Sequence, residues 1–546
     1  MLKLKYVSFS YREGDELFSV KTQRSLSSDR VSLEINTNGN VFSVWVRTDR
    51  EIMLKDITAV FEYPFGSKER VFLNGYQSWT DSAERHINGI MHGISHIPQR
   101  LSDKYAFSQY GDYNFAAYSL KPGEMHGWSY GYVRVGSEYD FIGSLSENTG
   151  FTRIETYSDD WEIRLVKDCA FHMISSDYCG LKVFMRSGSE KDVFDNYFDL
   201  LGVKPREGLK QICGYTSWYR HYQDINEYNL SEDMNALKAL GGRADVFQID
   251  DGWQTAVGDW LSVDRSKFPN YMKAMADKIS AGGMMPGIWL APFVCEKNSD
   301  IYKKHRRWIL RDSFGREVRA GSNWSGAYAL DIYNAAVRAY IGKVIRTVVN
   351  DWGFRLLKLD FLYAACIEPR SDRTRGQVMS DAMTFIRECA GDALILGCGV
   401  PLASAFGKVD YCRIGSDIGL SWNDKPIMRL THRERVSTRN SILDSVFRRQ
   451  LNGRAFLNDP DVFMLRPDGN SLSDEQKKCL AEVNALMGSV LFTSDNFRVY
   501  SDEEKRILKR IMGLRDAEVT SAEICGERLV VRFIYNGKKF QRSYKL

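Results

Sequence analysis

The sequence predicts a multidomain chain: an N-terminal antiparallel β-sandwich, a central (β/α)8 TIM barrel and a small C-terminal β-domain. Three observations carry this prediction. The chain has 546 residues, too many for one hydrophobic core. Residues 1 to about 200 alternate apolar and polar positions with period two. From about 210 to 500, eight short apolar runs alternate with longer helical patterns. The expected divisions are 1–205 for the sandwich, 206–500 for the barrel and 501–546 for the last domain.

The sandwich is read from runs such as Val31-Ser32-Leu33-Glu34-Ile35, Val41-Phe42-Ser43-Val44-Trp45-Val46 and Tyr130-Gly131-Tyr132-Val133-Arg134-Val135. Turn clusters such as Asn36-Thr37-Asn38-Gly39 separate them, as hairpin connections require. Lys204-Pro205-Arg206-Glu207-Gly208 carries turn chemistry and marks the boundary. The eight barrel strands are expected at 212–217, 244–249, 285–291, 355–360, 393–398, 409–414, 454–458 and 488–493. Helical patterns lie near 231–241, 271–282, 335–352, 377–391, 434–450 and 474–487, the last announced by Ser473-Asp474-Glu475. The link between strands five and six is short and bears Gly and Pro, so its helix is expected to be reduced. A doubly wound open sheet is the competing arrangement. The count of eight and the lack of a G-x-G-x-x-G turn after strand one favour the barrel. Beyond 500 come a helix at 502–513, an alternating run at 528–535, an Asn536-Gly537 hairpin turn and a final strand.

Composition removes several classes. Lys plus Arg total 74 against 70 Asp plus Glu, a near-balance that makes no case for a nucleic-acid partner. No stretch offers about 18 consecutive apolar residues, so no membrane span is expected. The run 279–295 is uncharged, but Gly and Pro interrupt it. The N-terminus lacks an apolar signal region. Ten cysteines without CxxC spacing then read as reduced thiols in a cytoplasmic protein.

In such a barrel, chemistry collects at the C-terminal ends of the strands. Strand two ends Ile249-Asp250-Asp251-Gly252-Trp253, strand four Lys358-Leu359-Asp360, strand six Arg413-Ile414-Gly415-Ser416-Asp417 and strand seven Asn458-Asp459-Pro460-Asp461. Strand one leads into Ser217-Trp218-Tyr219, and strand three carries Trp289. A single Asp at such a place is most simply a helix cap. Several on different strands, with Lys, Arg and Trp beside them, point to paired carboxylate chemistry. Strands four and six are close enough across a barrel mouth to supply two carboxyls. Lys358 shares a strand face with Asp360 and would favour its ionised form.

These segments, with Phe247-Gln-Ile-Asp-Asp251, Gly287-Ile-Trp-Leu-Ala-Pro-Phe293, Gly397-Cys-Gly399 and Leu457-Asn-Asp-Pro-Asp461, resemble the glycoside hydrolase family 36 α-galactosidases. Asn74-Gly-Tyr-Gln-Ser-Trp79 resembles a segment of that family's sandwich domain. The resemblance implies a retaining double displacement, with Asp360 as nucleophile and Asp417 as general acid/base. It implies that Asp250 and Asp251 grip the O4 and O6 hydroxyls, that Lys358 and Arg413 bind ring hydroxyls, and that Trp218 and Trp289 pack on the sugar. Cys398 is expected in the pocket wall and Tyr76 in the capping loop, where the family pattern has Trp.

The implied partner is an α-galactoside oligosaccharide. No cofactor and no metal are implied, and a homo-oligomer is among the assemblies the family forms. The chain departs from many members in Leu359-Asp-Phe-Leu-Tyr363 and in residues 420–426, which bear on the leaving group. An α-N-acetylgalactosaminidase or a transglycosylase with the same machinery stays open, as does, from another class, a non-catalytic carbohydrate-binding protein. A metal-dependent barrel hydrolase is disfavoured: the chain has eight His and no H-x-H or H-E-x-x-H.

Overall fold

The computed structural model describes residues 2–28, 30–241, 244–426 and 436–546. Two antiparallel sheets make the N-terminal sandwich. One runs in the order Glu16–Thr22, Lys3–Glu13, Ile52–Glu62, Glu162–Ile174, Thr152–Tyr157 and Glu124–Trp128. The other runs Ser32–Asn38, Val41–Arg47, Tyr178–Ser189, Glu138–Ser144, Tyr130–Val135, Arg70–Leu73 and Arg85–His86. Period-two alternation puts one face of each strand inside. In Val41–Arg47 the side chains of Phe42, Val44 and Val46 are buried and their neighbours are not. They join Val7, Phe9, Ile57, Leu165 and Leu181 in one apolar cluster, each stabilising the sandwich by ~1.5–3 kcal/mol of burial.

The barrel strands are β1 (Ile212–Thr216), β2 (Val246–Ile249), β3 (Met285–Leu290), β4 (Leu356–Leu359), β5 (Leu394–Gly397), β6 (Tyr411–Arg413), β7 (Leu457–Asp459) and β8 (Val490–Thr493). β1 to β7 pair in parallel in sequence order, and β8 pairs with β1. β7 breaks at Pro460 and Asp461, and its continuation Val462–Phe463 pairs with β8. Ser489 N donates to Asn458 O at 2.9 Å, so the sheet curls back onto itself. Every strand lies in its expected segment, β7 running one residue beyond. The reason is physical: strands buried on both faces read as continuous apolar runs, and every residue of β1, β2, β4 and β8 is buried. At Gly214 in β1 a Cβ would stand 2.0 Å from Val246 O, so only glycine permits the β1–β2 approach.

Helices Glu227–Ala239, Tyr271–Ala281, Ala335–Arg346, Arg375–Ala390, Thr438–Phe447 and Asp474–Met487 follow the strands. Ser473 caps the last with Gln476 in a capping box. The β5–β6 helix is reduced to Leu402–Ala405, as expected. Positions 434–435 of the predicted 434–450 helix lie outside the described residues. The sequence did not announce the insertion between β3 and β4, where Val294–Glu296, Arg319–Gly321 and Ala327–Ala329 form a small antiparallel sheet. The C-terminal sheet has three strands, Glu518–Cys525, Arg528–Tyr535 and Lys538–Lys545, the first unforeseen. Asn536 and Gly537 turn the last hairpin with φ of 49° and 72°, both left-handed. No described helix is long and apolar enough to cross a membrane.

Candidate active site

A cavity of about 300 Å³ opens at the C-terminal ends of the barrel strands. That is at the small end of ligand pockets and suits a compact ligand. Asp250 and Asp251 after β2, Trp289 in β3, Lys358 and Asp360 from β4, Asp417 after β6 and Trp218 after β1 all line it.

Each carboxyl is held by its own set of donors. Asp360 N donates to Leu290 O at 2.8 Å, continuing the β3–β4 ladder. Its Oδ1 accepts from Phe361 N at 2.9 Å and its Oδ2 from Trp289 Nε1 at 3.1 Å. Phe361 takes a left-handed φ of 54°, which costs ~1–2 kcal/mol. Its ring packs against Trp324 at 5.0 Å and Trp79 at 5.1 Å, which offsets that cost. Asp250 Oδ2 accepts from Lys358 Nζ at 2.9 Å and Gln248 Nε2 at 2.8 Å. Asp251 accepts from Gln254 Nε2 at 2.6 Å, Gln223 Nε2 at 2.8 Å and Trp324 Nε1 at 2.9 Å. Asp417 Oδ1 accepts from Arg413 Nη1 at 2.7 Å.

The electrostatics distinguish these groups. Burial alone would lower the Lys358 ammonium pKa, but the charges of Asp250 and Asp360 hold it well above its ordinary value. Burial raises the Asp251 carboxyl, against the pull of its three side-chain donors. Asp417 faces the pocket, with 42% of its side chain accessible. Enclosure by protein on its other sides, followed by the charge of Asp461, pushes its pKa up to about 6, against the pull of Arg413 and Lys358. A carboxyl of this kind holds a proton under mildly acidic conditions.

Three expected contacts lie behind the pocket wall. Arg413 is buried, and its guanidinium is shared by Asp417, by Asp459 through Nε at 3.0 Å and by Asp461 through Nη2 at 2.8 Å. Cys398 is buried, and its Sγ accepts from Trp79 Nε1 at 3.1 Å. Tyr76 is packed among Phe115, Trp128 and Phe151, its hydroxyl 3.5 Å from Cys366 Sγ. Trp79, three residues on in the same quoted segment, is the ring that reaches the cavity. Gly399, with φ of 59°, makes room for it, since a Cβ there would stand 2.9 Å from the indole.

The remaining wall was missed: Phe107 and Tyr110 from the sandwich, Ser322, Asn323 and Trp324 from the β3–β4 insertion, and Phe361, Ser416 and Val436. One signal was available. Gly321-Ser-Asn-Trp-Ser-Gly326 sets a lone Trp among turn residues.

A curled parallel sheet with carboxylates and indoles gathered at its strand ends is the layout of barrel glycoside hydrolases. Residues 210–385 match the Melibiase family model. More particularly, the resemblance to family 36 α-galactosidases is borne out. The chain is 25% identical over 299 residues to α-galactosidase Mel36A of Lactobacillus acidophilus, covering 52% of this chain and 36% of that protein. It is 31% identical over 151 residues to α-galactosidase AgaA of Geobacillus stearothermophilus, covering 26% and 20%. The matched region thus spans about a third or less of these curated relatives. The solved α-galactosidase of Thermus thermophilus, in complex with p-nitrophenyl α-D-galactopyranoside, superposes with a TM-score of 0.73 at 26% identity. That match covers 94% of this chain and 98% of the other.

Proposed function

We propose that this protein is a retaining α-galactosidase that removes terminal α-linked galactose from oligosaccharides. The observation that carries it is one cavity lined by Asp360 and Asp417 in unlike environments. Asp360 accepts from an indole N–H and a backbone N–H, which hold its carboxyl in place at the end of β4. Asp417 is raised to about 6, which favours a carboxylic acid.

In the first step an Asp360 oxygen bonds to the anomeric carbon, the glycosidic C–O bond breaks, and the Asp417 proton passes to the leaving oxygen. In the second, Asp417 takes a proton from water, the water oxygen bonds to the anomeric carbon, and the bond to Asp360 breaks. Asp250 and Asp251 accept from the sugar's O4 and O6 hydroxyls, and an epimer that leaves them unpaired is penalised. Lys358 orients Asp250, while Trp218 and Trp289 offer flat apolar faces. Arg413 steadies Asp417 from behind the wall. The similarity to the Thermus enzyme over nearly the whole chain supports the substrate class.

The divisions at 205 and 500, a homo-oligomeric state and a cytoplasmic location belong to the same proposal. Among the described residues, which include all ten cysteines, no disulfide forms, and this supports a reducing compartment.

The test is a panel of p-nitrophenyl α-galactoside, α-N-acetylgalactosaminide, α-glucoside and β-galactoside. The α-galactoside is expected to be cleaved fastest, and Asp360→Asn is expected to lower kcat by about 10³-fold or more in a folded protein. Preference for another α-glycoside would overturn the sugar assignment, and near-normal turnover by Asp360→Asn would overturn the nucleophile.

A further inference from the structure

We propose that Asp461, on the turn that breaks β7, is the positioning residue that keeps Asp417 protonated for acid catalysis by competing with it for the one guanidinium of Arg413. Its role rests on the assignment of Asp417 as acid/base.

The geometry is a shared cation. Arg413 Nη1 meets Asp417 at 2.7 Å, Nε meets Asp459 at 3.0 Å and Nη2 meets Asp461 at 2.8 Å. Asp459 and Asp461 are almost wholly buried, and Asp417 alone of the three lines the cavity. One positive charge cannot neutralise three carboxylates at contact distance, so the trio favours holding a proton. The geometry also decides which member can exchange it. Asp459 Oδ1 accepts from Asp461 N at 3.0 Å. Asp461 Oδ2 accepts from Ile418 N at 2.8 Å and from the Tyr219 hydroxyl. Each buried member thus accepts from at least one donor besides Arg413. Asp417 has only Arg413 among the described residues, and it is the member open to the pocket.

The charged and titratable groups that face Asp417 come from every neighbouring strand end. They are Arg413 from β6, Asp461 from the β7 turn, and Lys358 and Asp360 from β4. Tyr219 and Tyr222 follow β1, and Cys398 follows β5. Both tyrosine hydroxyls and the thiol are raised by burial, so they stay neutral where Asp417 titrates. Lys358 is already paired with Asp250. Asp461 is therefore the negative group whose removal most directly releases Arg413 to Asp417.

The Asp461 backbone is left-handed, with φ of 73°, a conformation asparagine tolerates. Asp461→Asn can keep its one oxygen for Ile418 N and the Tyr219 hydroxyl; its NH2 then faces Arg413, a donor against a donor, so the substitution removes both the charge and the contact that hold the guanidinium. The assay uses the methyl glycoside of whichever sugar the panel shows to be cleaved, because a poor leaving group needs the acid. The basic limb of kcat/KM is expected to move down by about one pH unit. That would be an about tenfold loss at pH 7, with the rate at pH 4.5 kept within about twofold. Asp459→Asn, which unloads the same guanidinium, is expected to shift the limb the same way and serves if Asp461→Asn does not fold.

A uniform loss at all pH values in a folded variant, with the limb unmoved, would make Asp461 a structural strut and overturn its role. A wild-type limb in Asp417→Asn would remove the acid assignment itself, and the role of Asp461 with it.

Discussion

At the scale of single residues, the candidate site has too few cations for its acids. Lys358 and Arg413 face Asp250, Asp360, Asp417, Asp459 and Asp461 in one connected group. Such a group holds a proton at pH values where an exposed aspartate would not. The sign of the pH effect follows. In the proposed mechanism Asp417 must be protonated to assist departure, and its pKa is pushed up to about 6. The acid form is therefore present below pH 6 and is lost as the pH rises through it. For an alkyl glycoside, kcat/KM is expected to fall about tenfold per unit above pH 6. For a p-nitrophenyl glycoside, whose leaving group needs less help, the fall is expected to be shallower. A rate for the alkyl glycoside that stays flat from pH 6 to 8 would contradict the assignment of Asp417 as acid.

At the scale of elements, strands bring the charged groups and loops build the wall around them. Arg448, just past the helix Thr438–Phe447, ties the two together. Its guanidinium donates to Asn74 Oδ1 at 2.9 Å, Gln77 O at 3.2 Å, Ser78 O at 2.7 Å and Ile414 O at 2.9 Å. The first three belong to the loop that carries Trp79, and the last to the segment leading to Asp417. Asp444, one turn earlier, accepts from Ser82 N at 2.7 Å and from Ser416 N at 3.1 Å. Arg448→Met would fill most of the space but leave these acceptors and the buried Asp444 without their cation. It is expected to cost ~3–5 kcal/mol of stability, measured by urea unfolding; a loss below ~0.5 kcal/mol would show the clamp to be dispensable. The same contrast explains what could be read in the sequence. Each barrel strand lay in a short, largely apolar segment, and eight such segments alternating with helical patterns have few other uses. The residues at their ends were legible for the same reason. The wall was not. Tyr110 reaches Asn323 Oδ1 at 2.5 Å and Ser322 N at 2.8 Å across more than 200 positions, and no local pattern encodes such a contact. The family pattern points to position 76 in the capping loop, but Trp79 is the ring that reaches the cavity, because sequence order does not reveal which side of a tight turn a ring leaves from. The family resemblance puts Arg413 on the sugar, whereas the two buried carboxylates that hold it behind the wall come from another strand end, which sequence order does not show.

At the scale of the molecule, the sandwich keeps one apolar interior between its own sheets and shares a second with the barrel. One apolar cluster runs from Phe72, Trp128 and Tyr130 of the sandwich through Phe447 and Phe406 of the barrel to Val531 and Phe533 of the C-terminal sheet. Phe72 stacks on Phe447 at 6.3 Å. Polar links cross the same boundary: Arg375 meets Asp168 at 3.2 Å, and Arg454 meets Asp195 at 2.7 Å. Domains joined by a small polar interface unfold separately, whereas parts that share a core do not. The protein is therefore expected to unfold in calorimetry as one transition, despite its length. The site depends on the same continuity, because Trp79, Phe107 and Tyr110 enter the cavity from the sandwich while the acids come from the barrel. A chain beginning at residue 206 would keep Asp360 and Asp417 but lose these rings and expose the apolar surface that meets Phe72. It is expected to aggregate, or to fold without measurable turnover. Two well-separated transitions in the full chain, or wild-type kcat/KM in the shortened one, would show that the barrel needs no sandwich. The shared core would then be a packing contact without consequence for the site.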